Sequence, residues 1–136
     1  MRWLIIAQGQ GTDPDDAAAW PVFATSEPDN PDNCITVKNT AGRDSGRVMQ
    51  DGERQVHYGF QVRVRSLTAK AGFAKASAIA INLDQNVYDV TITIDSNDYL
   101  VHSVTRTTDV LDIGKDVPGS KRSLHTLNGI VTINQV

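Results

Sequence analysis

The change of hydrophobic period between residues 59 and 94 constrains the fold more than any other feature of this chain. From Gly59, the residues Phe60, Val62 and Val64 alternate with Gln61, Arg63 and Arg65, the period of two expected of a half-buried strand. Near Thr68 the period becomes helical. Ala69, Gly72, Phe73, Ala76, Ile79, Ala80 and Leu83 fall within about 120° of arc at about 100° per residue, which predicts one helix over 67–85 with those residues as its core face. Alternation resumes at Val90, Ile92 and Ile94, and Asp95-Ser96-Asn97-Asp98 supplies turn chemistry before Tyr99 to Thr107, so a β-hairpin follows the helix.

Two further strands flank this centre. Ile35 and Val37 mark a short one from Asn33 to Asn39, and Ser123 to Gln135 reads as another with Asn128-Gly129 inside it. Either a tight turn splits that last run or a bulge bends it, and the alternation of Leu124-Thr126 and Val131-Ile133 favours the bulge. The expected fold is α+β: a mostly antiparallel sheet of about five strands, one main helix packed on one face, and a long loop between the first two strands. That loop, about eighteen residues between Asn39 and Tyr58, exceeds the usual length for a compact domain and can be an arm or an extended hairpin reaching a neighbour. Five strands span about 24 Å, whereas one helix covers about 10–12 Å. Either the N-terminal segment or another subunit must bury the remainder.

The N-terminal segment differs from the rest in charge. Residues 1–32 carry one base, Arg2, against Asp13, Asp15, Asp16, Glu27, Asp29 and Asp32, a net −5, while 33–136 carry a net +2. Pro14, Pro21, Pro28 and Pro31 interrupt any helix longer than about two turns. Trp3 to Thr12 does not read as a well-formed helix. We therefore expect 1–32 to be an extended or coiled acidic lead segment that wraps a single α+β domain over 33–136. Its Trp3, Leu4, Ile5, Ile6, Trp20, Val22 and Phe23 are too many apolar residues for a disordered tail and suit a plug for the domain core.

The chemical inventory is thin. His57, His102 and His125 lie on separate segments without metal-ligand spacing. Cys34 alone excludes an intramolecular disulfide, suits an intracellular setting and reads as a small buried hydrophobe. Gly9-Gln10-Gly11 lacks the strand, helix and third glycine of a phosphate loop, and no nucleophile elbow is present. No run nears the ~20 apolar residues of a membrane helix, and Trp3 to Ala7 is too short for a signal sequence. A net charge of −3 and pI near 5.5 argue against a free-standing nucleic-acid binder. No enzyme, cofactor or metal site is therefore expected.

Other features point to assembly. Ala71, Ala74, Ala78 and Ile81 form a second small-residue stripe on the back of the helix, which permits close approach of a partner, although alanine also serves simply as a helix former. Arg63 and Arg65 share one strand face, with Arg106 a candidate neighbour. Such a row can line a channel, pair with acids on another subunit, or form an ordinary solvated face.

In order, these segments resemble the tail terminator, or minor tail and minor capsid, proteins of long-tailed bacteriophages. The resemblance is carried by Trp20-Pro21-Val22-Phe23, by 27–37, by Gly46-Arg47-Val48-Met49-Gln50-Asp51-Gly52, by Gly59 to Arg65, by the Lys75 to Leu83 helix stretch and by Leu124 to Ile133. It covers roughly residues 20–134. The resemblance implies a non-catalytic virion protein of the tail neck, assembled in the host cytoplasm as a homo-hexameric ring at the head-proximal end of the tail tube. Such a ring ends tube polymerisation and joins tail to head, with the tail tube protein and head–tail connector proteins as partners. Contact with DNA through the lumen is left open and would be unspecific, and no membrane is involved. Arg47, Met49, Arg63, Arg65 and Ile81 are the expected interface or lumen residues. The alternatives are another head–tail connector, a head-completion or tail-tube protein, or a soluble α+β enzyme or ligand-binding domain with a cavity where histidines converge.

Overall fold

The computed structural model describes residues 1–16, 19–47, 54–115 and 121–135. The chain runs α1 (Arg2–Ala7), β1 (Val22–Ala24), β2 (Cys34–Arg47), β3 (Arg54–Ser66), α2 (Ala69–Asn86), β4 (Tyr88–Ile94), β5 (Asn97–Arg106), β6 (Leu111–Lys115) and β7 (Ser123–Gln135). The strands form one mixed, curled sheet in the order β1-β2-β3-β7-β5-β4, with β6 also paired to β7. β1 runs parallel to β2, and the other pairs are antiparallel.

The described residues thus form seven strands rather than about five. β1 and β6 are short pieces that periodicity does not resolve. The expected long loop between the first two strands is replaced, over its described part, by strand. β2 and β3 continue as an antiparallel hairpin from Cys34↔Arg65 to Arg47↔Arg54. Two register shifts in β2, between Thr40 and Arg43 and between Asp44 and Arg47, break the alternation, so periodicity does not carry the strand beyond Asn39. At the first of them Gly42 lies so close to the partner strand that a Cβ would sit 2.4 Å from the His57 carbonyl oxygen.

β7 is one continuous strand. Its register with β3 is unbroken from Ser123↔Ser66 to Gln135↔Arg54, so Asn128-Gly129 is neither a turn nor a bulge. Instead, its other edge changes partner there: β6 pairs with 123–126 and β5 with 129–134. At the handover the Asn128 N–H donates to Thr108 Oγ1 (3.2 Å) and its carbonyl accepts from the Thr107 N–H (2.9 Å). The irregularity sits in β5, where a bulge falls between Val101 and Ser103.

The helix lies close to where its period placed it. Thr68 is the N-cap, its Oγ1 accepting the Ala71 N–H at 3.2 Å. Gly72, Ala76, Ile79, Ala80 and Leu83 are buried against the sheet, but Ala69 is exposed and Phe73 is 54% exposed, a correction to the expected core face. The first turn sits over Ser66 and His125 at a distance only glycine allows, leaving Phe73 to meet the His125 ring by its edge at 6.0 Å. A Cβ on Gly72 would lie 2.4 Å from Ser66 Oγ and 2.8 Å from His125 Nδ1. Gly72→Ala is therefore expected to destabilise by about 1–3 kcal/mol, although alanine in a helix interior is ordinarily favoured by about 1 kcal/mol. Thermal melts check it, and a stabilised variant would contradict the packing.

The N-terminal residues correct a second expectation. Rather than extended backbone, residues 2–7 form a six-residue helix that buries Leu4 and Ile5 to 1% exposure. Each such burial is worth about 1.5–3 kcal/mol, which holds a helix too short to persist alone. The first proline follows at Pro14, beyond its reach. α1 packs against both β1 and β4, the outermost strands of the curled sheet, and Val22 is fully buried. The core runs from these residues through Ile35, Val37, Phe60, Val62, Val64, Val101, Leu127 and Val131 to the buried face of α2. The sheet area that α2 cannot cover is thus filled by this chain itself, so the width of the sheet does not call for another subunit.

Candidate assembly surfaces

The strand registers place Cys34, Thr36, Lys38, Arg43, His57, Gln61, Arg63 and Arg65 on the sheet face turned away from α2. Arg63 and Arg65 do share this face, and both have partners within the chain. Arg65 is 2% exposed and donates to the carbonyls of Pro31 (2.7 Å) and Asp32 (3.3 Å). Arg63 meets the Glu27 carboxylate at 3.4 Å. Arg122 adds a bond to the Asp29 carbonyl (2.9 Å) and an ion pair with Asp32 (3.1 Å). Three arginines from two adjacent strand ends thus hold residues 27–32 over one end of the face and bury Cys34 completely. Burial pushes the Cys34 thiol above the ordinary cysteine range, against the opposing pull of Arg65. Sequence reasoning missed this clamp. The acids and arginines lie about 30 to 90 residues apart, and only their charges hint at it.

Arg106 belongs to the other face. It pairs in register with Gly129, and its guanidinium reaches Asp84 of α2 at 2.7–3.1 Å. Hydrogen bonding to Asp84 first, and to Asp109, raises the pKa of the Arg106 guanidinium above the ordinary arginine value, against its partial desolvation. The bulge in β5 switches the parity between Val101 and Arg106, which is why alternation counted from the hairpin misplaces it.

On the back of α2, Ala71, Ala74 and Ala78 are exposed and Ile81 is 54% exposed, so the small-residue stripe is open along its length. Further exposed apolar side chains are Tyr88 at the start of β4, and Leu111 and Ile113 on β6, a strand whose five residues are all exposed. Leu111-Asp112-Ile113 carried an alternation too short to single out. Arg47 closes β2 opposite Arg54, while its side chain and the whole of Met49 lie outside the described residues.

The histidines do not converge. His57 and His125 lie on opposite sheet faces near opposite ends of the β3–β7 pair, His57 against Thr132 Oγ1 (3.0 Å) and His125 3.9 Å from Asp112. His102 meets Asp89 at 2.8 Å. A cleft of about 200 Å³ beside Met1 is lined by Val56, Tyr58, Ile92, Ile94, Tyr99 and Ile133, with no histidine. Among the described residues no three His, Cys, Asp or Glu side chains are placed to hold a metal ion, and no helix is long and apolar enough to cross a membrane.

No curated protein matches this sequence. A family model for the bacteriophage tail terminator protein matches residues 4–119, from within α1 to beyond β6. The chain therefore belongs to the bacteriophage tail terminator family, a structural family of the virion tail rather than a family of enzymes, whose members act together with other tail and head proteins.

Proposed function

We propose that this chain is the subunit of a ring of six copies at the head-proximal end of the tail tube, where it ends tube polymerisation and joins the tail to the head. The observation that carries this reading is the family match across 4–119. A cyclic ring uses heterologous contacts, one surface of a subunit meeting a different surface of the next. The open back of α2 around Ile81 is one such surface, and the end of β2 at Arg47 is another, with Met49, outside the described residues, as a further contact residue. Arg63 and Arg65 act indirectly, by fixing the acidic 27–32 segment on the face it covers, so that residues 1–32 serve as a clasp on the domain of 33–136. The ring assembles in the host cytoplasm, contacts the tail tube protein and the connector proteins, and lets DNA pass without specific recognition. It performs no catalysis and needs no cofactor.

Electron microscopy of particles lacking the chain tests this. Overlong tail tubes are expected; tails of normal length beside unattached heads would instead indicate a head-completion protein. Ile81→Asp should weaken assembly at least about tenfold, because burying an unpaired carboxylate at an interface costs more than about 1.4 kcal/mol, while the monomer melts within a few degrees of wild type. Light scattering and thermal melts separate the two effects. Equal loss of fold and assembly would place Ile81 in the core.

A further inference from the structure

Two strand edges of this sheet carry complementary charge. β1 covers β2 only at Ile35, Thr36 and Val37, so among the described residues no strand pairs with the outer edge of β2 from Lys38 onward. On the opposite side of the sheet, β4 pairs only with β5. α1 packs against β4 within the chain, but no second strand pairs with it, and edges without a strand partner invite pairing with another chain, which proteins control with charge and bulges. Here the two edges are charged in opposite senses. The β2 edge carries Lys38 and Arg43, while Asp44 is neutralised by Arg54. The β4–β5 hairpin carries Asp89, Asp95 and Asp98 and no lysine or arginine between Tyr88 and Val101.

The geometry adds a direction. β2 and β4 both run toward the end of the sheet where β7 finishes, because each lies an even number of antiparallel steps from β7. The registers put Lys38, Arg43 and Asp98 on the same sheet face. A rotation about an axis parallel to the strands therefore brings β2 of one copy beside β4 of the next, with strand direction and sheet face both preserved. A two-fold axis passing through either edge would instead set β2 against β2 or β4 against β4, with like charges opposed.

We propose that the β2 edge of one copy docks against the β4–β5 hairpin of the next, with Lys38 and Arg43 facing Asp89, Asp95 and Asp98. This rests on the ring reading and names its contact. The two bulges in β2 preclude a long regular ladder, so side-chain charge, rather than backbone pairing, selects the partner.

The test reverses each side. Lys38→Glu/Arg43→Glu makes the β2 edge acidic, and Asp89→Asn/Asp95→Asn/Asp98→Lys makes the hairpin basic, with asparagine tolerating the positive φ at 89 and 95. Each variant alone should assemble at least about tenfold more weakly than wild type by light scattering, with a circular dichroism melt close to it. Mixing the two should restore assembly, since each reversed edge then meets an opposite one. In a wild-type background, Thr40→Cys/Thr91→Cys should be joined between copies by a bismaleimide. Assembly indifferent to both reversals, or a mixture that stays dissociated without a cross-link, would overturn the contact while leaving the ring standing. A wild-type chain that stays monomeric and never joins tails would overturn both.

Discussion

Replacing Phe60 by alanine is expected to destabilise the fold by about 3–5 kcal/mol, a large share of the stability of a small domain. Phe60 is 1% exposed and the largest of the fully buried side chains. It faces Gly129 across the β3–β7 pair, and a Cβ at 129 would lie 2.8 Å from its Cζ and 2.7 Å from the Thr105 carbonyl oxygen. The ring occupies space that the glycine leaves open. Gly129→Ala should therefore cost about 1–3 kcal/mol, and Phe60→Leu in that background should recover only the share due to the ring, because the carbonyl of Thr105 cannot retreat without breaking β5 from β7. Urea denaturation of the three variants beside wild type measures each cost. A neutral Gly129→Ala would show that the ring and the glycine are not packed together.

Arg65→Ala is expected to cost about 2–4 kcal/mol, because it leaves the carbonyls of Pro31 and Asp32 without their buried donor and loosens the segment above Cys34. Arg65→Lys keeps the charge but not the fork that reaches both carbonyls, so it should fall between the variant and wild type. A second readout tests the clamp directly. Cys34 is fully buried beneath 27–32 with its thiol pushed up, so alkylation of the native protein should be slow and should accelerate at least about tenfold in Arg65→Ala. Unchanged thiol reactivity together with lost tail joining would move Arg65 from the clamp to an external contact.

Much of the fold was legible because local period and burial agree. Phe60, Val62 and Val64 alternate and are buried to within 1%, Thr68 caps the helix, and Asp95-Ser96 turns a hairpin with both residues at positive φ. The misses share a cause, the dominance of contacts distant in sequence. Phe73 has the helical phase of a core residue, but the close seat of Gly72 tips the first turn so that its ring stays outside. Asn128-Gly129 has turn composition, but the glycine answers to Phe60 on another strand. The α1 helix is stabilised by burial against strands far along the chain, which no window of six residues contains. Arg63 and Arg65 share one sheet face as their alternation implied, whereas Arg106 lies on the other. The partners of Arg63 and Arg65 in 27–32 could not be read, since nothing local tells whether a carboxylate pairs within its own chain or across an interface.

The position of β7 bears on how the chain is made. It lies in the middle of the sheet and yet follows every other element in sequence. During synthesis, β3 and β5 must therefore wait with their inner edges bare, and the core around Leu127 and Val131 cannot close until this strand emerges. Nascent chains are most exposed to pairing with one another in that interval. In the ring proposed above, a subunit that joined its neighbours only once β7 is in place would keep that interval free of self-association.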